Sequence, residues 1–285
     1  MAALKPQQPP PPGSIGVALG SGGARGLAHV VVLEALDELG VRPIAIAGAS
    51  MGAFVGAAYA SGLTGREIRS FVRETLQQRA VFTRKLMAIR IGRFSDLLFA
   101  ASGNPILLDA ELAFDAFMPE GAVKTFEALQ IPLAVIAADL ELRAEVVFDS
   151  GPLRPVIAGS IAIPGLFRPV AHEGRHLIDG GVVDPLPFEA LSGRAEVIVA
   201  VDVTVGGASR ARRLSRVIES VLNATQIMQT AIVAQKLKVR APEIVLRPPV
   251  EAFGVLDFLR FEEILRAAQP VKEELKRKLE RALAN

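Results

Sequence analysis

The chain has 285 residues, 51% of them hydrophobic, enough for one large α/β domain or two small ones with a sizeable core. Its formal net charge of +2, single Tyr and absence of Trp argue against nucleic acid as a partner, because such surfaces need a strong basic bias and aromatic platforms. Without cysteine it excludes disulfides, thiolate metal sites and a cysteine nucleophile, and it fits a reducing compartment.

Met1 to Ser14 holds five prolines, four of them consecutive from Pro9 to Pro12, and no apolar core of a secretory signal. This stretch reads as a disordered, polyproline-like lead. Ile15 to Leu19 is a strand candidate, followed by the glycine-rich loop Gly20 to Gly26. Ala24 to Leu39 reads as a helix with Leu27, Val30, Val31, Leu33 and Leu36 on its apolar face, stopped by Gly40. Ile44 to Ala47 is a buried strand, and Ala53 to Ala60 a helix. Between them lies Gly48-Ala49-Ser50-Met51-Gly52, a GxSxG pentapeptide in the strand–turn–helix context of a nucleophile elbow. Gly48 and Gly52 stand where any Cβ would crowd the reversing chain.

Pro43 to Gly65 runs for 23 residues without a charge, long enough to cross a bilayer, with Gly48, Gly52 and Gly56 at the spacing of a transmembrane dimer motif. Its five glycines, with Ser50, Ser61 and Thr64, fit a buried strand, elbow and helix better. Thr64 then caps a further helix, with Glu67 placed for a capping box. Arg79, Arg84, Lys85, Arg90 and Arg93 are interleaved with apolar residues, and no acidic residue intervenes between Glu74 and Asp96. Such a stretch suits a peripheral contact with anionic membrane, or a cap that buries its apolar residues on the protein.

Leu133 to Ala138, Val146 to Phe148 and Val197 to Val203 read as strands. Short strand–helix–strand spacing implies an α/β fold with a mainly parallel sheet covered by helices. Gly206 to Ser209 reads as a linker. It divides a catalytic domain, residues 15–205, from a helical extension, residues 206–285, packed on the same domain. That extension holds a long helix around Arg213 to Leu237 and a terminal helix from Val271, whose Lys, Arg and Glu form a solvated face. No internal repeat is visible.

Backbone N–H groups at the start of a helix after a glycine loop can hold a phosphate or a developing oxyanion. The dinucleotide pattern fails here: counted from Gly20, Arg25 takes the third glycine position, and counted from Ser21 the first glycine is missing. No acidic residue follows between Val41 and Gly65, where the ribose-binding carboxylate belongs. An oxyanion loop beside a serine is the better reading. The serine needs a base. His29, His172 and His176 are the histidines, none in a triad motif, and a packing or surface role suits each better. The other candidate is Asp179, which ends a strand and is followed by Gly180 and Gly181.

Taken in order, GSGGARG at Gly20 to Gly26, GASMG at Gly48 to Gly52 and DGG at Asp179 to Gly181 resemble the motifs of the patatin-like phospholipases, in a bacterial-type member. Gly159 to Phe167 also resembles the stretch preceding the family's Asp motif, and the likeness spans about Ile15 to Asp202. Ser21 departs from it, standing where many relatives carry another glycine. The resemblance implies a central, mainly parallel sheet sandwiched by helices and a Ser–Asp dyad, with Ser50 as nucleophile and Asp179 as general base. It places the oxyanion donors at Gly22, Gly23 and Arg25, with Gly48, Gly52, Gly180 and Gly181 supporting the motifs. It implies no cofactor and no metal. The expected activity is carboxylic ester hydrolysis on phospholipid or lysophospholipid, in the cytoplasm or peripherally at the inner membrane surface. A soluble esterase or thioesterase, and a non-catalytic lipid-binding regulator, share the same motifs. The motifs carry nothing about oligomeric state.

Overall fold

The computed structural model describes residues 9–89, 108–205 and 216–284. Its strands are β1 (Ile15–Leu19), β2 (Ala45–Ala49), β3 (Leu133–Asp139), β4 (Ala144–Phe148), β5 (Val170–His172), β6 (Arg175–Asp179), β7 (Val197–Val201) and β8 (Ile244–Leu246). The helices are α1 (Ala28–Glu38), α2 (Met51–Ala60), α3 (Gly65–Gln77), α4 (Arg79–Ala88), α5 (Ala110–Phe117), α6 (Leu153–Ser160), α7 (Arg216–Val239), α8 (Phe261–Ala267) and α9 (Val271–Leu283).

All strands join one sheet in the order β5-β6-β3-β2-β1-β7-β8, with β4 on the second edge of β3. The pairings from β3 through β2, β1 and β7 to β8 are parallel, whereas β4, β5 and β6 pair antiparallel. The sheet is mostly parallel, as expected, with an antiparallel part where β4, β5 and β6 join at and beyond β3.

Strands β1, β2, β3 and β7 are buried along their whole length. This is why they read as continuous apolar runs without alternation. The alternation that exists is one of size. Ile15, Val17, Leu19, Ile46, Leu133, Val135 and Val199 share a large core with α1, α2, α8 and α9. Ala18, Ala45, Ala47, Ala134 and Ala200 line the opposite face, where Leu186, Phe188, Leu191 and Val233 of α7 pack against them. Small residues there let the Leu186 to Leu191 segment and α7 lie close to the sheet.

Several sequence boundaries move. The helix expected over Ala24 to Leu39 begins as a 3-10 turn, Gly23–Leu27, before α1. The elbow helix starts at Met51, directly after the serine. Thr64 and Glu67 form the expected capping box at the start of α3. Glu173 and Gly174, with φ of 48° and 74°, make the tight turn between β5 and β6. In α9, Val271, Leu275 and Leu279 are buried while Lys278 pairs with Glu274, so the charged helix has one seated face. The uncharged stretch from Pro43 is β2, the elbow and α2, and among the described residues no helix is long and apolar enough to cross a membrane. The proposed linker Gly206 to Ser209, the residues before Pro9, and Arg90 and Arg93 lie outside the described residues.

Candidate active site

β3 is the strand on which the site is assembled. One of its edges carries β4. The other carries β2, with Ala49 opposite Ile136, and then immediately β6, with Asp179 opposite Ala137. Two strands distant in sequence thus end facing each other along one edge. The residue after the end of β2 is Ser50, and the last residue of β6 is Asp179. Their meeting follows from the register. Ser50 Oγ donates a 2.6 Å hydrogen bond to Asp179 Oδ2.

The elbow is strained where the sequence predicts it. Ser50 has φ 54° and ψ −124°, a conformation that L residues adopt only when the surroundings enforce it. Close packing does the enforcing: a Cβ on Gly52 would stand 2.0 Å from the Leu19 carbonyl oxygen, and one on Gly48 2.6 Å from the Ala53 backbone. A further residue, missed in the motif reading, pins the turn. Ser160, at the end of α6, accepts the Ser50 N–H at 2.9 Å and donates its hydroxyl to the Ile136 carbonyl at 2.6 Å. It lies in the segment that resembled the family without a role. Its place in that segment was the signal the sequence offered.

Asp179 is held from behind. Its Oδ1 accepts the Gly181 N–H at 2.7 Å, and its own N–H donates to the Ala162 carbonyl. Gly180 must be glycine, since a Cβ there would sit 2.1 Å from the Ile136 carbonyl oxygen. Burial pushes the Asp179 carboxyl up from 3.8 to about 6, against the hydrogen bonds from Ser50 and Gly181, which favour its ionised form. A buried, raised carboxylate is a far better proton acceptor than an ordinary aspartate.

The glycine loop runs beside this pair, and Gly22 and Gly23 border the same cavity as Ser50 and Asp179. Gly20, Ser21, Ala24 and Arg25 all donate their backbone N–H groups, to Val201, Pro185, Val255 and Gly22 respectively. Gly22 and Gly23 have no such acceptor among the described residues, so they are the free donors of the loop. Gly23 has φ +56°, and a Cβ on it would lie 2.3 Å from the Val255 carbonyl oxygen. The oxyanion role expected of Arg25 is corrected by this geometry: its N–H is committed to Gly22 at 3.2 Å. Its guanidinium is fully buried, donating to Gln226 Oε1 at 3.1 Å with Nε and Nη2 unpartnered, and burial lowers its pKa to about 10.

The histidines fall where a packing or surface role puts them, and none borders the cavity. His29 is completely buried in α1, its Nε2 2.8 Å from the Gly20 carbonyl, and burial lowers its pKa to about 4. It is therefore neutral at pH 7, with the proton on Nε2 bracing the loop. His172 packs against Phe148, and His176 pairs with Glu141 on the surface. Ser21 accepts a hydrogen bond from Gln229 of α7 at 3.3 Å. Leu222, Thr225, Gln226 and Gln229 of α7 line the same cavity as Ser50, of about 20 Å³.

A strained serine on a strand–helix elbow, a raised carboxylate in hydrogen-bond contact and two free backbone donors thus meet at one cavity of an α/β fold. The model of the patatin-like phospholipases matches residues 17–192, well over half of the chain, and the chain belongs to that family. It is 39% identical over 199 residues to an uncharacterised NTE family protein of Mycobacterium tuberculosis, covering 70% of this chain and 51% of that protein. It is 29% identical to patatin-like phospholipase domain-containing protein 7 of Rattus norvegicus, covering 88% of this chain and 20% of that one. The chain thus spans about half the length, or less, of these curated relatives. Among solved structures, the human GIVD cytosolic phospholipase A2 in complex with methyl gamma-linolenyl fluorophosphonate aligns with a TM-score of 0.49 at 14% identity, over 95% of this chain and 59% of that one.

Proposed function

We propose that the chain is a serine lipid acyl hydrolase, cleaving carboxylic esters of phospholipids or lysophospholipids through a Ser50–Asp179 dyad. The single observation carrying this is the 2.6 Å bond from Ser50 Oγ to a carboxylate whose pKa burial raises to about 6. Family membership and a relative named lysophospholipase NTE1, of Coccidioides immitis, 29% identical over 92% of this chain and 17% of that protein, support the substrate class.

As Ser50 Oγ attacks the ester carbonyl, Asp179 takes its proton. The N–H groups of Gly22 and Gly23 hold the tetrahedral oxyanion, each such donor contributing on the order of 3 kcal/mol. Collapse transfers that proton from Asp179 to the leaving alcohol. Asp179 then activates water to hydrolyse the acyl-Ser50. The setting we assign is cytoplasmic, peripheral at the inner membrane surface, with the basic stretch Arg79 to Arg93 as one contact. In that stretch Arg84 is exposed, whereas Lys85 turns inward, donating to the Ala116 carbonyl and lying over Phe71 and Phe117.

A fluorophosphonate probe should label Ser50, identified by peptide mapping, and Ser50→Ala should abolish both labelling and phospholipid hydrolysis. Turnover confined to short soluble esters would move the reading to a soluble esterase. No labelling and no turnover on any ester would leave a lipid-binding regulator.

A further inference from the structure

α7 carries its polarity the wrong way round for a helix fixed between a protein core and water. From Ser220 to Gln235 it has no charged residue. Its buried face, Leu222, Gln226, Gln229 and Val233, includes two amides, and Gln226 Nε2 has no partner. Its outer face presents Val221, Ala224, Ile227, Met228, Ala231 and Ala234 beside the uncharged Ser220, Thr230 and Gln235, with Ile227 71% and Met228 51% exposed. A helix seated on a core ordinarily does the reverse. The inner side of this same helix lines the Ser50 cavity.

We infer that the outer face of α7 docks on a phospholipid surface and brings the mouth of the site to the lipid from which its ester is drawn. The inference rests on the lipid-ester reading above, and three observations select this occupant. The helix whose inner side lines the Ser50 cavity is the one whose exterior exposes Ile227 and Met228, so site and surface share one element. The uncharged stretch is about 24 Å long at 1.5 Å per residue and about 10 Å wide. That is roughly a third of the ~800 Å² per partner that a stable dimer buries, which disfavours a second copy of the chain. Lys238 and Arg240 are exposed where the helix ends, placed to meet phosphate groups at the edge of an interfacially lying helix. Apolar side chains enter the acyl boundary while the helix axis stays in the interface plane.

Binding is read without hydrolysis, using the full chain carrying Ser50→Ala, and vesicles of phosphatidylcholine with phosphatidylglycerol. The Ser50→Ala protein should co-sediment with the vesicles. Adding Ile227→Gln and Met228→Gln should weaken binding by about tenfold or more, since two apolar anchors no longer gain from leaving water, with the melting temperature unchanged. Ala231→Trp should tighten binding, which keeps the idea testable if the double variant folds poorly. Equal vesicle binding by parent and double variant would overturn the inference. So would a concentration-dependent dimer that the double variant turns into a monomer, since a second copy would then own the face. The fluorophosphonate experiment reads the chemistry independently: a chain that is labelled at Ser50 yet ignores vesicles defeats this inference alone.

Discussion

At the scale of single residues, Asp179 links activity to stability. Its carboxyl is raised from 3.8 to about 6 by burial, so the folded state holds its proton to higher pH than the unfolded state. Folding stability therefore declines as pH rises through that window, and the ionised carboxylate above it costs about 3 kcal/mol. Asp179→Asn keeps the acceptor for the Gly181 N–H but cannot take a proton. We expect it to lower kcat by about a thousandfold or more while raising stability by up to about 3 kcal/mol at pH 8, and by little below pH 4. Denaturant unfolding at the two pH values checks this, and unchanged stability at pH 8 would show that the carboxyl is not raised. The parent's kcat/KM should rise with pH through about 6 as Asp179 ionises. Ser160→Ala leaves the buried Ser50 N–H without an acceptor. It should cost about 1–3 kcal/mol and lower kcat more than it raises KM, because the elbow loses its tether. Ser160→Thr, if accommodated, should restore part of both.

Among elements, the glycine loop and α1 act as one unit through His29. The neutral imidazole donates to the Gly20 carbonyl, fixing the turn that leads to the free N–H groups of Gly22 and Gly23. His29→Phe should remove that brace and depress kcat, whereas His29→Gln, which can still donate, should recover part of it. Equal activity of both variants and the parent would reduce His29 to a packing role. The loop also shows why glycine is needed for more than chemistry. Gly23→Ala meets the Val255 carbonyl at a positive φ, so it should lower the melting temperature as well as the activity. The register of β2 and β6 along β3 decides that Ser50 and Asp179 meet at all, and neither strand carries that information by itself.

For the molecule as a whole, two buried titrating groups oppose each other in their pH dependence. His29, lowered to about 4, must be neutral to stay folded, so its contribution grows as pH rises from about 4 to its usual 6.5. Asp179 contributes the opposite slope over nearly the same range. Asp184 and Glu145, also raised by burial, add to the decline. Removing Asp179 as Asn should therefore make stability rise more steeply, or fall less steeply, with pH than in the parent, and His29→Phe should take away the opposing rise. Titrating the unfolding midpoints of the three proteins between pH 4 and 7 tests this, and a His29→Phe profile parallel to the parent's would mean that His29 is not held neutral by burial.

The sequence by itself determined the strand–elbow–helix, the glycine loop, the buried parallel strands and the candidacy of Ser50 and Asp179. Each of these rests on local sterics: GxSxG permits the reversal at Ser50, and continuous apolar runs mark strands covered on both faces. Only the tertiary structure brought Asp179, and none of the histidines, to the Ser50 cavity, because that depends on β2 and β6 sharing one edge of β3. It alone showed that the Arg25 N–H is committed, that Ser160 tethers the elbow and that α7 lines the cavity with its amides inward and exposes Ile227 and Met228 outward. These are contacts between segments more than a hundred residues apart, or choices of which neighbour a hydrogen bond takes. A linear pattern records periodicity and spacing. It does not record which distant backbone group stands at the end of a hydrogen bond, and burial, which raises one carboxyl and silences one histidine, exists only once the chain has closed around them.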